Sequence, residues 1–243
     1  MLNKNIYNKR YARQWMEYEK SGQDVLRQKF LYPYLQQAIE EAVLPMTPSR
    51  TWDIRIGKQS HPTLLDIGCG WGGLLDYINE EVVYVGIDPI KSFIAFIWDN
   101  YSDRRMGALE GNLPDNIWPD KPYDPAPLFD IVVCSMALHC VSDLETSVNA
   151  LFSKAKNGGK VIIAEFNDQA PPIIRKTFLR IDKDTGNYIK GRYNLSNRVS
   201  IIAEAYFHGE EQIEKAIRAH SDFRKTLVGP MFVGYEAEKG KFL

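Results

Sequence analysis

Apolar positions along the chain follow two different periods, and the change comes near residue 62. Before it the spacing is helical. From Asp24 to Leu44, Phe30, Leu31, Tyr34, Leu35, Ala38, Ile39, Ala42 and Val43 share one face. Pro33 should kink this helix, because proline lacks an N–H and its ring crowds the preceding turn. Pro45, Pro48 and Pro62 bracket a polar connector, Thr47 to His61. Beyond it, short apolar runs alternate with helical spacing. Leu64 to Ile67, Val82 to Ile87, Met106 to Leu109, Phe129 to Ser135 and Lys160 to Phe166 read as buried strands. Gly72 to Glu81, Ile90 to Tyr101 and Leu144 to Ala155 read as helices, the second with Phe93, Ile94, Ile97 and Trp98 toward the core. Asn157-Gly158-Gly159 marks a turn before the fifth strand. Strands alternating with helices of this length imply a parallel sheet covered on both faces.

From Asp168 to Phe207 the chain becomes aromatic and charged, with less regular spacing. Glu210 to His220 is again helical, and Phe223 to Val228 with Phe232 to Ala237 form a last pair of short strands. The expected class is α/β: a doubly wound, mostly parallel sheet with a C-terminal strand pair and an N-terminal helical cap. No internal repeat or low-complexity segment supports a solenoid or a disordered scaffold.

Composition narrows the function. A chain of 243 residues, 44% hydrophobic, can bury one substantial core with a modest appendage. Thirty basic residues against 31 acidic ones leave no basic excess for a phosphate backbone, so a nucleic-acid partner is not favoured. Cys69, Cys134 and Cys140 form neither a CxxC pair nor a ligand-spaced cluster, which points away from a disulfide framework and a zinc site. The start lacks the apolar core of a signal peptide and no run approaches membrane-spanning length, so a cytoplasmic protein without membrane attachment is expected.

The chemistry concentrates at Leu64-Leu65-Asp66-Ile67-Gly68-Cys69-Gly70-Trp71-Gly72-Gly73. An apolar strand enters a glycine-rich turn that lets backbone approach a ligand, and the N–H groups of the following helix start should face it. Asp88 ends the next strand about 20 residues beyond Gly68, where an acidic side chain meets a ribose diol. Gly68, Gly70 and Gly73 also satisfy the GxGxxG fingerprint of dinucleotide folds. Asp66 favours a smaller cationic ligand, because a carboxylate is awkward beside a pyrophosphate and useful near an amino group or sulfonium.

With Gly72 the turn resembles the first motif of class I S-adenosylmethionine-dependent methyltransferases, (D/E)-x-G-x-G-x-G. Phe129-Asp130-Ile131-Val132, followed by Ser135-Met136-Ala137-Leu138-His139, resembles the fourth motif of their small-molecule branch. Asn157-Gly158-Gly159 is similar to the family's Pro-Gly-Gly turn, with asparagine in place of proline. Gly111-Asn112-Leu113-Pro114 is similar to the stretch along the adenine, although the usual upstream acid is replaced or shifted to Glu110. The resemblance runs from about Leu64 to Phe166 and is closest to the ubiquinone and menaquinone biosynthesis methyltransferases.

The resemblance implies a Rossmann-like doubly wound sheet, mostly parallel with an antiparallel C-terminal strand pair, with S-adenosylmethionine as cofactor and S-adenosylhomocysteine as product. Asp66 and the turn Gly68-Cys69-Gly70 would hold the methionine end, and Asp88 the ribose. Pro89 and Ile90 follow Asp88, with Ile90 against the adenine beside Gly111, Asn112 and Leu113. Ser135 and Met136 would close the site. Residues 1–60 form a cap or lid and 61–243 the methyltransferase domain, in which 168–222 is an acceptor-side insertion.

His139, just past the fourth strand on the ligand side of the sheet, and His208 are candidate bases for a hydroxyl acceptor, whereas His61 and His220 read as surface positions. Tyr7, Tyr11 and Trp15 lie at helical spacing, either packing the core or closing over the cofactor. Tyr188, Tyr193, Arg192 and Arg198 fall where an acceptor pocket is expected; aromatic rings suit a planar acceptor, and arginines a carboxylate or phosphate. The reaction needs positioning, exclusion of water and no metal. The expected activity is methyl transfer to an oxygen or nitrogen of a small molecule. An NAD(P)-binding oxidoreductase and a non-catalytic cofactor-binding protein on the same fold are the alternatives. The Asn/Asp-Pro-Pro-Tyr signature of amino-methylating nucleic-acid or protein enzymes is missing, as is the Pro-Cys pair of the cytosine-C5 class.

Overall fold

Continuous apolar runs become strands buried on both faces. The computed structural model describes residues 9–22, 24–46, 61–114, 127–170, 178–181, 188–196, 199–203, 206 and 208–240. Five strands follow the expected order: β1 (Thr63–Ile67), β2 (Val83–Asp88), β3 (Met106–Glu110), β4 (Phe129–Ser135) and β5 (Ala155–Phe166). Then come β6 (Phe178–Ile181), β7 (Tyr188–Ser196), β8 (Val199–Ala203), β9 (Phe223–Val228) and β10 (Phe232–Glu238). The main sheet runs β3-β2-β1-β4-β5-β10-β9. Its first five strands are parallel, β10 is antiparallel to β5, and β9 is antiparallel to β10.

Helices cover both faces. On one, α2 (Tyr32–Val43) packs Leu35, Ala38, Ile39 and Ala42 against Leu64, Ile131 and Ile162, and Ile97 of α3 (Lys91–Tyr101) joins the same core. On the other, α4 (Leu144–Lys154) and α5 (Glu210–Arg218) bury Val148, Leu151, Phe152, Ile213 and Ile217 against Leu65, Val132 and Ile163. Asp143 caps α4 by accepting the Thr146 N–H at 2.9 Å. A further α-helix, α1 (Lys9–Lys20), lies beside α3 and β7. Among the described residues no helix is long and apolar enough to cross a membrane.

Several expectations change. The helix from Gly72 to Glu81 is only a 3-10 turn, Gly73–Tyr77. Gly72 enters it at φ 86°, Ile78 leaves it extended, and the Asn79 side chain accepts the Glu81 N–H at 2.8 Å, which turns the chain into β2. Ahead of Pro33 the chain widens into a π turn, Arg27–Leu31, which leaves the proline at the start of α2, where a missing N–H costs little. The Asn157-Gly158-Gly159 turn lies inside a longer β5: Gly158 donates to Lys239 O and Lys239 to Gly159 O, both at 2.9 Å, which zips this stretch to the chain after β10. Trp98 does not face the core. It is 46% exposed and lies along the sheet edge, donating its indole N–H to Ala108 O of β3 at 3.1 Å.

The irregular segment after β5 holds a second sheet, β6-β7-β8, antiparallel throughout, with Tyr193 opposite Ile201 and Arg192 opposite Ile202. Tyr188, Arg192 and Tyr193 fall on β7. Tyr7 and Arg198 lie outside the described residues.

Candidate functional site

The strand order reverses between β1 and β4, and their C-terminal ends open a crevice where doubly wound sheets bind ligands. The glycine turn leaves β1 at that point. Gly68, Gly70 and Gly72 have φ of 80°, 55° and 86°, a region that side chains with a Cβ rarely adopt. A Cβ on Gly68 would lie 2.4 Å from Cβ of Ala137, so that glycine lets the loop after β4 close against the turn. A Cβ on Gly70 would meet nothing within 4 Å, so space for a ligand opens there. The N–H groups of the turn are less available than the sequence implied. Gly68 and Cys69 donate to Ile87 O, at 2.8 and 3.1 Å, and Gly72 donates to Cys69 O.

Two buried carboxylates lie near the turn. Asp88 Oδ2 accepts the Gly70 N–H and Oδ1 the Ile90 N–H, each at 2.9 Å. Asp88 therefore pins the turn to the end of β2 and does not cap α3, whose N-cap is Ile90, with Pro89 one residue outside the helix. Asp66 Oδ2 accepts the Tyr84 hydroxyl at 2.9 Å. Burial pushes Asp66 up to about 7, against the Tyr84 hydrogen bond and with help from the Asp88 charge. Burial likewise pushes Asp88 up to about 6, although two backbone N–H groups favour its ionised form. Buried acids of this kind suit a cationic ligand. The Cys69 thiol, buried beside both, is pushed well up by burial and by their charges, and behaves as a neutral packing group.

The Gly111 N–H donates to Asp88 O at 3.2 Å, which brings the predicted adenine stretch beside the ribose acid. Leu113 turns into the core with Ile67 and Ile87, Asn112 is half-buried, and Glu110 pairs with Lys91 at 3.2 Å. Ile90 packs toward Trp71 and Phe93. After β4, Ser135 is half-buried and Met136 holds φ 55°, the only described non-glycine residue at positive φ, with its N–H on Ala164 O at 2.8 Å. Tyr11 and Trp15 lie on α1.

His139 follows in a 3-10 turn, Leu138–Cys140. Its Nδ1 lies 3.0 and 3.2 Å from the two oxygens of Glu165, near the end of β5, and its backbone N–H donates to Glu165 Oε2 at 3.1 Å. Burial alone would lower the imidazole, but Cys140 and Glu165 beside it hold it well above its usual range. Glu165 is held below the usual carboxylate range: burial opposes this, and His139 and two backbone N–H groups prevail. His208 lies near this pair, close enough to feel the charges of Glu165 and His139, with Tyr206 donating its N–H to His139 O at 2.7 Å. His208 is buried with Nε2 on Val141 O at 2.8 Å, and burial lowers its affinity for a proton. The structure thus unites Asp66, Gly68, Cys69, Gly70, Asp88, Gly111 and the His139 turn around one crevice. Glu165, Tyr84 and Trp71 were not singled out from sequence. An acid inside the apolar run Val161 to Phe166 was the available signal for Glu165.

The fold and the crevice define a nucleotide-cofactor protein of the doubly wound class. Residues 31–196 match the methyltransferase domain family, and the chain belongs to it. The chain is 29% identical over 138 residues to "Arginine-hydroxylase NDUFAF5, mitochondrial" of Rattus norvegicus, covering 56% of this chain and 36% of that protein. It is 26% identical over 184 residues to the "Ubiquinone/menaquinone biosynthesis C-methyltransferase UbiE" of Shewanella sediminis, covering 74% and 59%. The chain thus spans about a third of the first relative's length and under two thirds of the second's. Among solved structures, an S-adenosylmethionine-dependent methyltransferase from Clostridium acetobutylicum superposes with TM-score 0.62 at 12% identity, over 93% of this chain and 99% of that one, which shows the shared fold.

Proposed function

We propose that the chain transfers a methyl group to an oxygen or nitrogen atom of a small-molecule acceptor. S-adenosylmethionine is the methyl donor; bound, it supplies a sulfonium-activated methyl group that needs only an aligned nucleophile. The observation that carries the reading is the open space at Gly70, whose N–H is held by the buried Asp88, with the buried Asp66 near the end of β1 just before the turn. Asp66 would hold the cationic methionine end and Asp88 the ribose, each already oriented by a protein hydrogen bond. Gly111 to Leu113 and Ile90 would border the adenine.

On the acceptor side His139 is the better placed histidine, because it lies at the C-terminal end of β4 and is oriented by Glu165, whereas the Nε2 of His208 is engaged by a carbonyl. Against burial, Cys140 and Glu165 favour the protonated form of His139. The imidazole therefore serves an ionised acceptor oxygen as a hydrogen-bond donor, and serves as a base only above its raised value. An amine acceptor needs no base and arrives deprotonated.

Calorimetric titration with S-adenosylhomocysteine, S-adenosylmethionine and NAD tests the cofactor. The two sulfur compounds should bind, and Asp88→Ala should weaken them about tenfold or more, in line with a lost hydrogen bond to a charged group. Binding of NAD alone would overturn the reading. A turnover screen over phenols, enols, amines and arginine peptides then identifies the acceptor; cofactor binding with no turnover on any of them would favour a non-catalytic binding protein.

A further inference from the structure

Beside the glycine turn lies a third packing centre, in which Trp71 and Phe93 are buried with Met16, Ile90 and Phe96 packed against them. It joins α1, the turn and α3. Glu19, near the end of α1, is buried here and accepts the Trp71 indole N–H on Oε2. Its other oxygen pairs with Arg27 Nη1 at 2.5 Å, and the Tyr32 hydroxyl reaches Oε2 at 3.5 Å. The Lys20 ammonium sits 3.9 Å from the ring centre of Phe96 and 5.3 Å from that of Trp71. A carboxylate at this depth is costly unless it is paired and hydrogen-bonded, and here one of its oxygens accepts from the glycine turn.

Trp71 stands between Gly70 and Gly72, two glycines of the turn that hold positive φ. From the sheet side Asp88 holds Gly70. From the helix side the next residue is held through its indole. The turn is clamped from two elements, and one of them reaches it across 52 positions of sequence.

We infer that Glu19 is a positioning residue of the cofactor site: through the Trp71 indole it fixes the glycine turn in its ligand-accepting form and fastens α1 beside it. This rests on the cofactor reading above. Cofactor affinity then depends on an acid in the N-terminal helix that touches no part of the cofactor's expected path along Asp66, Gly70 and Asp88.

The test compares S-adenosylhomocysteine binding and its dissociation rate in the unaltered protein, Glu19→Ala, Glu19→Gln and Trp71→Phe, with thermal midpoints alongside. Trp71→Phe keeps a ring and removes the N–H, and Glu19→Gln keeps an oxygen that can accept it. Glu19→Ala and Trp71→Phe should each bind about tenfold more weakly through faster dissociation, while Glu19→Gln stays within about threefold. If Glu19→Ala fails to fold, Trp71→Phe and Glu19→Gln decide. Wild-type affinity in Trp71→Phe overturns the inference, and so does a Glu19→Gln variant as weak as Trp71→Phe, since charge pairing with Arg27 would then carry the effect. An unaltered protein that binds no S-adenosylhomocysteine is a separate result, which removes the cofactor reading itself.

Discussion

At the scale of single residues, Asp66 has the most to report. With burial holding it near 7, roughly half of the unliganded molecules carry a proton there at neutral pH. A cationic ligand group beside it favours the carboxylate and expels that proton. Cofactor affinity should therefore climb as pH rises from about 6 to 8 and level off above, with proton release visible as a buffer-dependent binding enthalpy. Asp66→Asn should flatten the profile. A slope that persists in the variant would assign the titration to another group.

At the scale of elements, the His139 turn and β5 are tied by one ion pair. Glu165→Gln removes the carboxylate that holds the imidazole proton, so His139 should fall toward its ordinary value, as an NMR titration would read. For a hydroxyl acceptor that uses His139 as base, the rising limb of the pH–rate profile lies on the alkaline side and should move toward neutrality in this variant. Stability follows the same signs. The raised His139 contributes below about 6.5 and loses its share as pH rises through its folded value; the lowered Glu165 contributes above about 4.5 and loses its share as pH falls through its own. The pair thus supports the fold most between those limits. A different contact seats α2: a Cβ on Gly234 of β10 would lie 2.1 Å from the Tyr34 ring, and Tyr34 donates to Glu236 at 3.2 Å. Gly234→Val should overpack this seat and cost about 1 to 3 kcal/mol in denaturant unfolding.

At the scale of the whole molecule, legibility divides by distance along the chain. The main sheet could be read because each strand is a contiguous apolar run, and the cofactor side because strand, turn and acid follow one another within about 25 residues. The Trp71 clamp and the His139 pair join residues 52 and 26 positions apart, and no local pattern announces such meetings. The second sheet escaped for a different reason. Its strands, such as Tyr188–Ser196, interleave charged, polar and apolar residues and never settle into a period. The helix expected after the glycine turn failed because helical spacing was offset by the backbone habits of Gly72 and Asn79.

The seat of Tyr34 against β10 also bears on how the protein is made. The hydrogen bond there spans 202 positions, so on the ribosome α2 emerges long before the strand that receives it. At cellular elongation rates of about 5 to 20 residues per second, the wait is roughly 10 to 40 s. Over that interval the apolar face of Leu35, Ala38, Ile39 and Ala42 has only the earlier strands for cover. The nascent chain presents chaperones with a helix whose final partner has yet to be translated.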